Sequence, residues 1–333
     1  VKVLVFLSEI LSAKTLVPIV EASFLDPEIT CDLVNDGFCS DFILSLNLPI
    51  EVILDDFRQH LDRRLDGIDC ILMGKSYQQE SEYILLDLAQ KKGIPVVMVV
   101  PDMGIDVVTA KLKRIGTEFP WPLLLVADTR TCRSLGLAGV PPTRIVKFGN
   151  PYFDQHYAAL QHDFDEWSGE GIGYFSTPFE LDFKRGILPT DYLQKDYVHD
   201  LQWVADQSQQ PLQCKSHPQV MLTQYVQTTL FEGSPLDMIR QIKYAVGSYS
   251  TTLLEAYSAG LPTFSYQPWE ANIRQDVFEG RIPIVKTKEE LLSLIRESQP
   301  RRTPGAFEPV TFNPGTSLQI ALRHIKAQAA TLA

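Results

Sequence analysis

Short, unbroken apolar runs recur along this chain at Val1–Leu7, Ile50–Leu54, Asp69–Met73, Ile94–Val100, Leu123–Ala127 and Arg144–Phe148. Amphipathic stretches fill the gaps between them at Glu9–Phe24, Asp55–Leu65, Gln78–Lys92 and Thr129–Leu137. An apolar run without polar alternation needs cover on both faces. That is the situation of a strand inside a parallel sheet whose crossover helices lie on either side. The expected class is α/β with parallel sheets. Local punctuation agrees: Gly93 follows Lys91–Lys92 as a left-handed helix end, and Gly149-Asn150-Pro151 stops the strand before it.

The alternation resumes in the second half. Strands are expected at Gly171–Ser176, Pro211–Lys215, Thr228–Phe231, Tyr244–Gly247 and Thr263–Tyr266. Helices are expected near Leu193–Gln207, from Pro218, from Ser234 and from Thr251, with a last one over Ser317–Ala330. Ser234, Pro235 and Asp237 form a capping-box-like start. Residues Tyr152–Glu170 are polar and strand-free, and we place a linker there. A length of 333 residues suits two α/β domains of about 150 each. The expected division is 1–160, 169–316, and a closing helix in 317–333 that packs back on the first domain.

The formal net charge of −11 argues against a nucleic-acid partner, because a phosphate backbone demands clustered Lys and Arg. One small anion needs only a local positive site. The five cysteines, Cys31, Cys39, Cys70, Cys132 and Cys214, are scattered and include no CxxC. They point to reduced thiols in a cytoplasmic protein rather than to a disulfide framework or a metal site. No apolar run is long enough to span a membrane, and Val1–Leu7 is too short for a signal peptide.

The segment from Lys243 to Pro262 reads as strand, hydroxyl-rich turn, helix, glycine end and proline stop. Ser248, Ser250, Thr251 and Thr252 fall at or just before the helix start, where free backbone N–H groups and the helix dipole favour an anion. Glu255 follows Ser250 by about 1.4 turns, within reach of the same mouth, where a carboxylate accepts both hydroxyl protons of a ribose. Read on their own, Ser250 as an ordinary N-cap and Glu255 as a solvated helix residue remain equally open.

The run Ser250-Thr251-Thr252-Leu253-Leu254-Glu255-Ala256, followed by Gly260-Leu261-Pro262, resembles the donor-binding helix of GT-B glycosyltransferases. It is similar to the pattern of the N-acetylglucosaminyltransferase that makes lipid II. Lys215-Ser216-His217-Pro218 resembles the His-Pro motif of bacterial sialyltransferases, glycerol-phosphate polymerases and nucleotide-sugar 2-epimerases. Gly149-Asn150-Pro151-Tyr152-Phe153-Asp154 is similar to the segment preceding the interdomain linker in several of these proteins. The resemblance implies two Rossmann-like parallel-sheet domains facing across a cleft. It assigns Glu255 to ribose, and Ser248, Ser250, Thr251, Thr252, His217 and Lys215 to phosphate.

Asp102, in Pro101-Asp102-Met103-Gly104 after the strand Ile94–Val100, resembles the acid-x-Gly that carries the sialyltransferase base. As a bare residue it is equally a helix N-cap. Several motifs are set aside. Gly74-Lys75-Ser76 lacks the first P-loop glycine, since Asp69 stands there, and Leu7-Ser8-Glu9 contains no GxGxxG. Asp55-Asp56 and Asp163-Phe164-Asp165 read as solvated surface rather than metal ligands, and Lys184 and Arg185 as solvated loop cations.

What the resemblance implies is an inverting, metal-independent transferase without a cofactor. Its donor is a UDP- or CMP-linked sugar and its acceptor a glycan or lipid-linked glycan of cell-surface polysaccharide, an acceptor class compatible with peripheral membrane association. The alternatives are a nucleotide-sugar 2-epimerase and a nucleotide-binding protein without catalysis. Two departures weigh against the epimerase: there is no Arg after Ile105, and Tyr249-Ser250 replaces a Gly-Gly turn.

Overall fold

The computed structural model describes residues 1–8, 10–36, 44–45, 47–53, 56–75, 80–100, 115, 118–155, 169–184, 188, 192–217, 222, 229–270, 272–273, 278, 280–298 and 315–331. Two compact units divide the chain: Val1–Gln155 with Thr311–Ala333, and His156–Val310.

Unit 1 runs β1 (Lys2–Phe6), α1 (Ile10–Phe24), β2 (Thr30–Asn35), β3 (Ile50–Val52), α2 (Phe57–Arg64), β4 (Cys70–Gly74), α3 (Glu80–Lys92), β5 (Val96–Val100), β6 (Leu123–Val126), α4 (Thr129–Leu137) and β7 (Ile145–Lys147). Its seven strands form one parallel sheet in the order β3-β2-β1-β4-β5-β6-β7. Alternate residues of β1 enter different cores. Val3 and Val5 join Leu16, Ile19, Val97 and Val99 on one face, while Leu4 and Phe6 join Leu61, Leu85, Met98 and Leu135 on the other. Side chains of a strand point to opposite faces in turn, so burial of both faces explains the unbroken apolar runs. Asp128 caps α4 by accepting from the N–H groups of Arg130 at 2.8 Å and Thr131 at 3.0 Å.

One strand of this unit went unread in the sequence. β2 contains Asp32, whose carboxylate is gripped by Arg64 Nη1 at 2.6 and 2.7 Å. The polar interruption is tolerated because a partner 32 residues away in sequence satisfies it.

Unit 2 contains β8 (Ile172–Phe175), α5 (Phe179–Lys184), α6 (Gln194–Ser208), β9 (Leu212–Lys215), β10 (Thr229–Leu230), α7 (Pro235–Gln241), β11 (Tyr244–Gly247), α8 (Thr252–Ser258), β12 (Thr263–Tyr266), β13 (Ile284–Val285) and α9 (Lys288–Glu297). These six strands are again all parallel, in the order β10-β9-β8-β11-β12-β13. The capping box at Ser234 forms as its sequence indicates, with Asp237 answering the Ser234 backbone N–H at 2.9 Å. α5, β13 and α9 were not read from the sequence. β13 is only two residues long, and α5 only six, too short for a periodic signal. The helix expected from Pro218 lies outside the described residues.

The chain then returns to unit 1 as α10 (Ser317–Ala329), which buries Ala321, Ile325 and Ala329 in the core shared with α1. Asp154 accepts from the Ser317 N–H at 3.3 Å and from its hydroxyl. At the far end Lys326 pairs with Asp26 at 2.7 Å and Glu28 at 2.5 Å. No described helix is long and apolar enough to cross a membrane.

Candidate functional site

In unit 2 the chain starts at the middle of its sheet, builds outward through β9 and β10, then crosses back to add β11 to the other side of β8. The sheet thus reverses its order between β8 and β11, and α/β sheets bind their ligands beyond the carboxyl ends of the strands at such a point.

The sequence-selected residues of the second half gather here. Ser176 and Thr177 leave β8, Lys215 ends β9 with Ser216 and His217 after it, and Ser248 to Thr251 leave β11. Thr177 Oγ1 lies 2.8 Å from Ser248 Oγ, joining the two loops at the switch point. The His217 N–H donates to Ser176 Oγ at 2.6 Å, and the Ser176 N–H donates to the Lys215 carbonyl at 3.1 Å. Three strand ends are thereby tied into one platform.

Ser248 is fully buried. Its carbonyl accepts from the Ser265 hydroxyl and, at 3.3 Å, from Gln267 Nε2. Gln267 also binds Ile273 in both directions, at 2.9 Å to its carbonyl and 2.8 Å from its N–H, stapling the loop after β12 beneath the turn. Gly247 is closely approached: a Cβ there would stand 3.0 Å from the Phe175 carbonyl and 3.2 Å from Leu253, so a larger residue needs its neighbours to give way. Ser250, Thr251 and Thr252 are half-buried, and Ser250 Oγ accepts from the Thr252 N–H at 3.2 Å.

Glu255 departs furthest from the bland expectation. It sits in the first turn of α8 with 3% of its surface exposed, so it is not a solvated helix residue. Its Oε2 is buried without any hydrogen-bond partner. A buried carboxylate oxygen left unpaired is costly, and native proteins tolerate such groups where they serve a purpose.

Beside this turn, Tyr249 donates its phenol to Asp182 at 2.7 Å and packs near Phe179 and Trp269, with ring centroids 6.3 Å from each. Elsewhere in the unit, Asp200 accepts from Tyr192 at 2.9 Å, Tyr266 at 2.8 Å and Lys288 at 2.9 Å. Burial raises the Asp200 pKa, yet these three donors outweigh it and hold the carboxyl below its ordinary value.

Unit 1 has the same reversal, between β1 and β4. Ser8, Ser12, Lys75 and Glu82 are buried there, with the Ser8 hydroxyl donating to Glu82 at 3.3 Å and that of Ser12 to the Lys75 carbonyl at 2.6 Å. Gly74 has a packing reason independent of any P-loop, since a Cβ would stand 2.3 Å from Ser12 Cβ. Asp102, the candidate base, lies outside the described residues, as do Asp55, Asp163, Asp165, Arg185 and Cys39. Lys184 ends α5 exposed to solvent. Among the described residues no group of three or more His, Cys, Asp or Glu is arranged to hold a metal ion.

Sequence reasoning missed Ser176, Thr177, Gln267 and Trp269. A signal existed for the first two: paired hydroxyl residues directly after the opening strand of a Rossmann-type half. Gln267 and Trp269 carried none, because their roles depend on contacts with β11 and α5.

The likenesses to known proteins are structural. The UDP-GlcNAc 2-epimerase of Neisseria meningitidis, solved with UDP-GlcNAc, superposes with a TM-score of 0.72 at 14% identity, covering 98% of this chain and 100% of that one. The fold is GT-B-like. The wall teichoic acid polymerase TagF is similar with a TM-score of 0.60 at 11% identity, over 99% of this chain and 89% of its own. MurG of Acinetobacter baumannii follows at 0.54 and 12%, over 98% and 99%. No protein-family model and no curated protein sequence matches the chain. The likenesses therefore speak to the fold, and chemistry has to be argued from the site.

Proposed function

We propose that this chain is a nucleotide-sugar enzyme, an inverting, metal-independent glycosyltransferase whose second unit holds the donor. The observation that carries it is Glu255: a buried carboxylate with an unpartnered oxygen, one helical turn from a hydroxyl-rich turn at the switch point. Ribose offers that oxygen a vicinal pair of hydroxyl donors. Thr251, Thr252 and Ser250, with Lys215 and His217 on the neighbouring loop, supply donors and positive charge for the phosphates.

The acceptor hydroxyl oxygen attacks the anomeric carbon while the bond from that carbon to the phosphate oxygen breaks. Asp102 takes the hydroxyl proton, and the phosphate-binding residues stabilise the charge that develops on the departing nucleotide. The acceptor is a glycan or lipid-linked glycan.

A 2-epimerase is the second reading, favoured by the end-to-end likeness to the Neisseria enzyme. Against it stands Tyr249, which fills the place of a glycine in the resembling turn with a side chain bonded to Asp182. One experiment separates the readings. UDP-N-acetylglucosamine and CMP-N-acetylneuraminate are incubated with the full chain, with and without glycan acceptors, and followed by proton NMR. Acceptor-dependent glycosidic product supports the transferase. Isomerisation of the sugar at C-2 without acceptor assigns the epimerase, and tight binding without turnover assigns a binding protein.

A further inference from the structure

Trp269 is 8% exposed, and its indole Nε1 is buried with no acceptor in reach. Its ring lies edge-on to Phe179 at 5.7 Å, Tyr192 at 6.0 Å and Tyr249 at 6.3 Å. Packing explains a large aromatic side chain here. It does not explain an indole, whose N–H needs a partner once water is excluded.

The position is held firmly. Gln267 ties the start of this loop to the Ser248 carbonyl and to Ile273, and Lys286 Nζ donates to the Trp269 carbonyl at 2.7 Å. Trp269, with its orphaned donor, packs against Tyr249 of the turn Ser248 to Thr252, and Glu255, with its orphaned acceptor, lies in the first helical turn that follows it. Glu255 follows the phosphate-directed hydroxyls along α8. Tyr249 precedes them, and its side chain leads away toward Asp182 and Trp269.

We infer that Trp269 is a specificity-determining residue whose indole N–H donates to an oxygen of the sugar carried beyond the phosphates. The inference rests on the nucleotide-sugar reading and deepens it. A sugar nucleotide is long enough to offer ribose hydroxyls to Glu255 at one end and a hydroxyl, amide or carboxylate oxygen to Trp269 at the other. Both orphaned groups then gain partners on binding.

Trp269→Phe keeps an aromatic side chain, smaller than indole, and deletes the donor. Calorimetric titration compares the wild-type and variant chains with UDP against UDP-N-acetylglucosamine, and with CMP against CMP-N-acetylneuraminate. The expected result is about a tenfold loss of affinity for the sugar nucleotide that wild type binds, with the bare nucleotide changed by less than about twofold. Equal losses for both members of a pair, or no loss for either, overturn the inference and leave the nucleotide reading intact. Wild type that binds none of the four ligands overturns both.

A measurement on wild type guards against a variant that fails to fold. The chain has four tryptophans, so an ¹⁵N-labelled sample gives four indole N–H signals, which Phe substitutions at Trp121, Trp167 and Trp203 assign by elimination. Sugar nucleotide should move the Trp269 signal downfield and the bare nucleotide should not. A Trp269 signal indifferent to the sugar overturns the inference.

Discussion

Thr177 Oγ1 and Ser248 Oγ meet at 2.8 Å across 71 residues of sequence, joining the loops that leave β8 and β11 at the point where the sheet reverses its order. Both residues are buried, so each hydroxyl depends on the other in place of water.

Thr177→Val should therefore lower the thermal stability of unit 2 by about 1–3 kcal/mol, because it strands the Ser248 hydroxyl. Adding Ser248→Ala should recover part of that loss. Unfolding curves of the two single variants and the double variant form a cycle whose coupling energy measures the bond. Strictly additive losses would show that the two hydroxyls do not support one another.

Glu255 gives effects of opposite sign on stability and on binding. Glu255→Met removes a buried, partly unpaired carboxylate with little change of volume, so the free protein should be as stable as wild type or more so. Nucleotide affinity should fall about tenfold or more for nucleoside and diphosphate alike. His217→Ala should weaken the diphosphate far more than the nucleoside. Calorimetry with both ligands checks each variant, and unchanged affinities in folded protein would remove the main support for the nucleotide site.

Asp102→Asn should abolish sugar transfer and leave nucleotide affinity close to wild type. Asparagine retains the shape and most of the capping ability of aspartate, yet it accepts no proton near neutral pH. Undiminished transfer would make Asp102 a structural residue and send the search for the base elsewhere.

Asp200 sets a pH dependence. Its folded pKa lies below the ordinary value of 3.8, so its contribution to stability is present above that value and fades as pH falls through the depressed one. Acid titration of the wild type, followed by thermal unfolding, should show this loss only in strongly acidic solution. Asp200→Asn should flatten that part of the curve and lower stability at neutral pH, where Lys288 loses its carboxylate partner.

The parallel sheets were legible from the sequence because burial on both faces leaves a one-dimensional trace. β4 and β11 are buried along their whole lengths and read as apolar runs. Local devices were legible for the same reason: the capping box of Ser234 and Asp237 spans four residues and needs nothing from elsewhere. β2 was not legible, since the partner that excuses Asp32 is Arg64 on another element. The serine turn was visible as a motif, but its meaning was not. Whether Glu255 was solvated or buried, whether Ser248 had a hydroxyl to face, and that Trp269 would come to lie beside Tyr249 all depended on strand order. Backbone patterns repeat over short stretches of chain, whereas burial and hydrogen-bond satisfaction are decided by residues tens of positions apart, which only the folded sheet brings together.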